Sequence, residues 1–257
     1  MDLGLRGRTA FVGASTAGLG RAVAEALGRE GANVVITGRR GAQAVAIAAD
    51  LPSAIGLEVD LLDRNSRGAA IAAAEQAFGP IDILVINGPG PKASPAAGLT
   101  AADVETAFAQ LVAPGQDLVA RTLPAMRARR WGRILAIGSS GVAAPLDNLA
   151  SSNLGRAALA GYLKTLAGEV AGDGVTVNLL LPGRMATDRV AALDTATAAR
   201  MGLDVDEVRQ RSEQSIPAGR YGDPAEFGAA GAFLCSAPAS YITGIALRCD
   251  GGLVRSL

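Results

Sequence analysis

Seven short apolar runs recur along this chain, at 9–12, 33–37, 55–59, 81–86, 133–137, 175–181 and 245–249, and longer stretches separate them. In stretches such as 20–30, 64–78, 101–129 and 152–171 the apolar residues return at helical spacing. Strand and helix in alternation leave few architectures open. Parallel strands joined by right-handed helical crossovers give an α/β fold, a Rossmann-type doubly wound parallel sheet of about seven strands with both faces covered. No linker or repeat divides the 257 residues, so one domain is expected over 1–257. In such a sheet a ligand lies beyond the carboxyl ends of the strands, where the strand order reverses.

The composition removes several kinds of chemistry. There is no histidine, and the two cysteines, Cys235 and Cys249, make no sulfur-rich metal site, so histidine-based hydrolysis and zinc chemistry are excluded and no metal is expected. Lys+Arg and Asp+Glu both total 24, which favours a small-molecule substrate over nucleic acid or an anionic membrane. No stretch reads as a leader or a membrane span, and two free cysteines suit a reducing compartment, so a cytoplasmic protein is expected. Only Lys92 and Lys164 are lysines; elsewhere a cation must be arginine, which does not act as a base near neutral pH.

After the first strand comes Val12-Gly13-Ala14-Ser15-Thr16-Ala17-Gly18-Leu19-Gly20, running directly into an alanine-rich helix. Glycines let a backbone approach a pyrophosphate, and the helix N-terminus offers it free N–H groups. A tight turn between packed elements has the same composition. The second strand ends in Thr37-Gly38-Arg39-Arg40, at the distance where a ribose-binding residue follows such a turn. Arginine there matches a 2′-phosphate, pointing to NADP(H), although the pair could simply end a strand in water. Asp60, closing the third strand, could accept from an adenine amino group or cap a turn. The long segment after the sixth strand, about 184–217, carries Arg184, Asp188, Arg189, Asp194 and Glu213 and reads equally as a mobile substrate lid or a surface excursion.

With Asn87-Gly88 after the fourth strand, Ser139 after the fifth, Pro182-Gly183 after the sixth and Asp250-Gly251-Gly252 near the end, the chain resembles the short-chain dehydrogenase/reductase family over its whole length. Gly219-Arg220 and Tyr241-Ile242-Thr243-Gly244 are similar to the branch of 3-oxoacyl-acyl-carrier-protein reductases. The resemblance implies that Ala14, Thr16, Ala17, Gly18, Leu19, Gly20, Arg39, Asp60, Leu61, Asn87, Gly88, Arg156, Pro182, Gly183 and Thr187 hold the cofactor, NADP(H). Two signatures depart from the family. Gly13 and Ala14 stand where threonine and the first glycine belong, which a negative φ at Ala14 would accommodate. Pro89 and Pro91 stiffen the loop after Asn87.

Family enzymes pair a tyrosine with a lysine four residues later, a serine and an asparagine; lysine lowers the phenol pKa so that tyrosine exchanges a proton with the substrate oxygen. Matched without gaps, Ser139 is retained, Ser152 takes the tyrosine position, Arg156 the lysine position and Leu111 the asparagine position. Ser139, Ser152 and Arg156 are therefore the candidate catalytic residues, and they could equally belong to a silent site. Pro114 cannot bond to the carbonyl of Gln110, so a kink is expected there, with an open carbonyl and a water in place of the asparagine.

Three functions follow: an NADP(H)-dependent oxidoreductase of a carbonyl or alcohol with altered proton delivery, a non-catalytic NADP(H)-binding subunit or sensor, and a non-redox enzyme of an anionic substrate. The resemblance also implies a homodimer or homotetramer through the helices of 101–129 and 152–171; their small side chains suit close packing on the sheet just as well.

Overall fold

A computed structural model describes residues 1–256. The strands β1 (Thr9–Val12), β2 (Asn33–Gly38), β3 (Ala54–Glu58), β4 (Ile83–Ile86), β5 (Gly132–Ile137), β6 (Val175–Pro182) and β7 (Ala246–Cys249) form one sheet. Its order is β3-β2-β1-β4-β5-β6-β7, and every pairing is parallel. The order reverses between β1 and β4, so a crevice opens beyond their carboxyl ends. The expected doubly wound α/β sheet is the fold of this chain.

Period-two alternation distributes each strand between two cores. In β4, Leu84 and Ile86 face the layer of α3 (Arg64–Phe78), α5 (Ala113–Ala128) and α6 (Ala150–Val170). Ile83 and Val85 face the layer of α1 (Gly18–Arg29), α2 (Gly41–Ala49) and α9 (Pro224–Leu234). β1, β2, β4, β5 and β6 are buried on both faces, which is why they read as continuous apolar runs, whereas the edge strands β3 and β7 are only partly covered.

The stretch 101–129 is two helices, α4 (Ala101–Leu111) and α5, meeting at Val112. Pro114, in the first turn of α5, has no N–H to return to Gln110, and the break falls where the sequence places a kink. After β6 the chain forms α7 (Asp188–Met201) and α8 (Val205–Gln214), with Thr187 and Asp204 as N-caps. Among the described residues no helix is long and apolar enough to cross a membrane.

Candidate functional site

Beyond the carboxyl ends of the strands lies a cavity of about 740 Å³, lined from the β1–α1 turn, the ends of β2 to β6, the start of α6 and the start of α7. Its wall at the first turn is built close on the backbone, from Ala14, Thr16, Ala17, Gly18 and Leu19. Gly18 has φ +57°, and a Cβ at Gly20 would come within 2.6 Å of Asn87 Nδ2 and 2.7 Å of the Ala14 carbonyl. Asn87 Nδ2 donates to that carbonyl at 3.2 Å, tying the loop after β4 to the turn after β1. Gly20 packs behind this wall and does not line the cavity.

Ala14 differs from expectation. Its φ is +45°, in the left-handed region, so the methyl group is accommodated with strain and not by a negative φ. The conformation is held from both sides: its N–H donates to Thr37 Oγ1 at 3.2 Å, and its carbonyl accepts from Asn87.

Helices α3, α4, α7, α8 and α9 each have an N-cap side chain bonded to their first turn. At α1, Ala17 supplies none and no acidic residue occupies the first turn. The free N–H groups and the positive end of the helix dipole therefore face the cavity. Arg39 and Arg40, both exposed at the end of β2, also line it. Arg40 Nη2 donates to Thr16 Oγ1 at 3.3 Å, whereas Arg39 has no ion-pair partner among the described residues. An uncapped helix terminus and an unpaired arginine about a turn of small residues fit a dinucleotide with a phosphorylated ribose.

Asp60 accepts the Leu62 N–H on Oδ1 at 2.9 Å, so one oxygen caps a turn and the other remains for a ligand. Leu61 lines the cavity beside it, and its carbonyl accepts from Arg67 Nη1 at 2.6 Å. Ala14, Thr16, Ala17, Gly18, Leu19, Gly88, Pro182, Gly183 and Thr187 complete the expected residues that share this cavity. The sequence assigns no role to Leu146, Leu149, Met185, Leu193 and Leu253; with Pro89 and Pro91 of the stiffened loop they supply an apolar wall. Only the path of the loops brings them there.

At the far end stand Ser139, Ser152 and Arg156. Arg156 Nη1 donates to the carbonyls of Ile137 and Gly138 at 3.1 and 3.0 Å, and Nε to Ser152 Oγ at 3.3 Å. The spacing of four along α6 sets the serine and arginine one above the other. Ser139 Oγ accepts the Gly141 N–H at 3.1 Å. Both hydroxyls accept from the protein and, among the described residues, donate to no protein acceptor, which leaves each proton for an oxygen in the cavity. Among the described residues no carboxylate pairs with Arg156. Burial, with the charge of Arg189 second, pushes its pKa down to about 10, so it remains a cation at neutral pH.

Leu111 is buried, with its side chain against Gly155 of α6. Beside it a second cavity of about 30 Å³ lies between Gln110, Leu111, Pro114, Asn87, Gly88 and Arg156, and shares walls with the first. Over the mouth, Arg184 Nη1 bonds Asp194 Oδ1 at 2.6 Å, and Tyr221 Oη donates to the buried Asp194 Oδ2 at 2.9 Å. These contacts fasten α7 to the segment before α9.

A family model described as enoyl-(acyl carrier protein) reductase matches residues 13–254. The 3-oxoacyl-[acyl-carrier-protein] reductase of Aquifex aeolicus is 34% identical over 261 residues, covering 98% of this chain and 100% of that protein. The NADPH-dependent reductase BacG of Bacillus subtilis is 29% identical over 256 residues, covering 97% and 99%. Among solved structures, L-sorbose reductase from Gluconobacter frateurii complexed with NADPH and L-sorbose superposes with a TM-score of 0.93 at 29% identity, covering 100% of both chains. With the sheet order, the crevice and a match over nearly the whole length in agreement, the chain belongs to the short-chain dehydrogenase/reductase family, in the group described as enoyl-(acyl carrier protein) reductases.

Proposed function

We propose that the protein is an NADP(H)-dependent oxidoreductase of a carbonyl or alcohol, in which Ser139, Ser152 and Arg156 work without a tyrosine–lysine pair. The observation that carries this reading is one continuous cavity, with a phosphate-suited turn and free Arg39 at one end and two hydroxyls beside a cation at the other. NADPH in the solved L-sorbose reductase and the NADPH dependence of the reductase BacG support the choice of cofactor.

The N–H groups of α1 would hold the pyrophosphate, Arg39 and Arg40 the 2′-phosphate, Asp60 and Leu61 the adenine, and Asn87, Gly88, Pro182, Gly183 and Thr187 the nicotinamide half. When bound, the dinucleotide supplies the hydride that adds to the carbonyl carbon. As the C=O π pair moves onto oxygen, Ser139 and Ser152 donate hydrogen bonds to it, and Arg156 stabilises the developing negative charge. The 30 Å³ cavity has room for about one water, with Arg156 as a donor and the Gln110 carbonyl as an acceptor; that water gives a proton to the alkoxide, and the hydroxide left beside Arg156 takes one back from solvent through the adjoining larger cavity. A high-resolution crystal structure with this cavity dry removes that step. The segment 184–217 acts as a lid, closing on the substrate from the α7 side.

The test is NADPH oxidation followed optically across ketones, β-ketoacyl thioesters and quinones, with the native protein and with Ser152→Tyr combined with Arg156→Lys. Native turnover that falls at least tenfold in Ser152→Ala fits the proposal. One observation favours a non-catalytic NADP(H)-binding protein: among the described residues no Tyr, Lys, Cys or His lines the cavity. NADPH binding with ketone reduction in the double variant alone would establish that second reading.

A further inference from the structure

Besides Arg39 and Arg40, two arginines that line the cavity, the partly buried Arg156 and the exposed Arg189, have no carboxylate partner among the described residues. Arg156 is held at the start of α6 by the carbonyls of Ile137 and Gly138. Carbonyl dipoles fix its position but leave its charge uncancelled. Arg189, exposed in the first turn of α7, also lines the cavity, and its guanidinium lies on Gly90 in the loop after β4. A Cβ at Gly90 would meet Arg189 Nη2 at 2.8 Å and Nη1 at 3.1 Å. Both arginines line the same cavity, and among the described residues neither forms an ion pair.

The other charged groups on the wall do not resolve this. Arg184 is neutralised by Asp194, Asp188 is exposed and paired with neither arginine, and Asp60 is at the adenine end with one oxygen bonded to Leu62. Two arginines without a carboxylate partner, lining a cavity whose walls are otherwise mostly apolar, favour a bound anion there. Arg39 and Arg40 at the opposite end already answer the 2′-phosphate, and the α1 terminus the pyrophosphate.

We infer that the substrate is itself an anion, a carbonyl or alcohol compound carrying a carboxylate that Arg189 and Arg156 bind together. This deepens the oxidoreductase reading and rests on it for the carbonyl, while the anion site stands on the two arginines. Arg189 thus becomes a specificity-determining residue, and α7 brings it to the substrate from the lid.

The experiment is isothermal titration of the NADP+-saturated protein with acetoacetate and with its methyl ester, a matched pair differing in one negative charge. The acid is expected to bind about 30-fold more tightly, the size of a charge-assisted hydrogen-bonded pair. Arg189→Leu should reduce that ratio to about threefold or less, and Arg189→Lys should restore part of it by supplying a point charge. Equal affinities for acid and ester, an unchanged ratio in Arg189→Leu, or no binding of either probe at millimolar concentration overturns the inference. So does a loss of NADP+ affinity in Arg189→Leu with the acid preference intact, because the anion at Arg189 is then a cofactor phosphate. NADPH oxidation run in parallel separates the two readings. Turnover of neutral ketones without acid preference defeats only the anion site, and acid preference without turnover of any carbonyl defeats only the oxidoreductase.

Discussion

Ala14 places a Cβ in the left-handed region at the turn that shapes the cofactor end of the cavity. An L-residue there is strained by about 1–2 kcal/mol, and glycine in its place would give back part of that gain through its more flexible unfolded chain. Ala14→Gly should therefore stabilise the fold by about 0.5–1 kcal/mol, read as a higher urea midpoint; a lower midpoint would show that methyl packing outweighs strain. The sign of φ was not legible in the sequence, because it depends on bonds from Thr37 and Asn87 in distant strands. Ser152 and Arg156 were legible as a pair, since a spacing of four on a helix fixes a shared face. Arg189 was legible only as a charge in a long segment; its direction depends on how α7 leaves the sheet. The thiols give a second residue-scale prediction. Cys235 has no exposed surface, and burial pushes its pKa up to about 12, while Cys249 is partly exposed. A thiol reagent at neutral pH should modify at most Cys249 in the native protein and both thiols after unfolding; native labelling of Cys235 would refute its burial.

Between elements, α3 and α5 meet on one carboxylate. Asp117 of α5 takes Arg67 Nε at 2.7 Å and Arg121 Nε at 3.0 Å, and Arg67 in turn donates to the Leu61 carbonyl at the cavity wall. Removing the acid would leave Arg67 buried with its charge uncompensated, so Asp117→Ala should cost about 3 kcal/mol by urea unfolding and weaken NADPH binding through Leu61. Burial of Asp117 opposes ionisation, but the hydrogen bonds and charges of Arg121 and Arg67 prevail and hold its pKa below the ordinary aspartate value. A depressed folded pKa means this stabilisation is present above the unfolded value near 3.9 and is lost as pH falls through the lower folded one. The unfolding midpoints of native protein and Asp117→Ala should therefore converge on acidification below about pH 4; a gap that stays constant into that range would remove the carboxylate from the account. Helix legibility followed contrast. The break at Val112 could be read from Pro114 alone, whereas α2 and α9 are almost wholly small and apolar and offer little polar face to mark their period.

Across the molecule, the sheet reversal concentrates at one edge what the chain distributes over about 170 residues, from Ala14 to Thr187. A ligand that spans this edge touches the ends of several strands and the start of α7, so its binding free energy adds to that of the fold as a whole. At a hundred times its dissociation constant a ligand stabilises by about 2.7 kcal/mol, which for a domain of this size raises Tm by about 5–10 °C. NADP+ should produce such a shift in a thermal melt. NAD+, lacking the 2′-phosphate, should give a smaller one, because it leaves Arg39 without an anion and loses a charge-assisted contact of about 1.5–3 kcal/mol. Arg39→Ala should then weaken NADP+ about 10- to 100-fold, leave NAD+ nearly unchanged and bring the two melts together. Arg40 is already committed to Thr16 and is a poorer substitute. Equal shifts by both dinucleotides in the native protein would mean that Arg39 only ends a strand in water. The strand order and the uncapped α1 would still provide the crevice and its phosphate-suited terminus, but the preference for the phosphorylated cofactor would lose its physical cause.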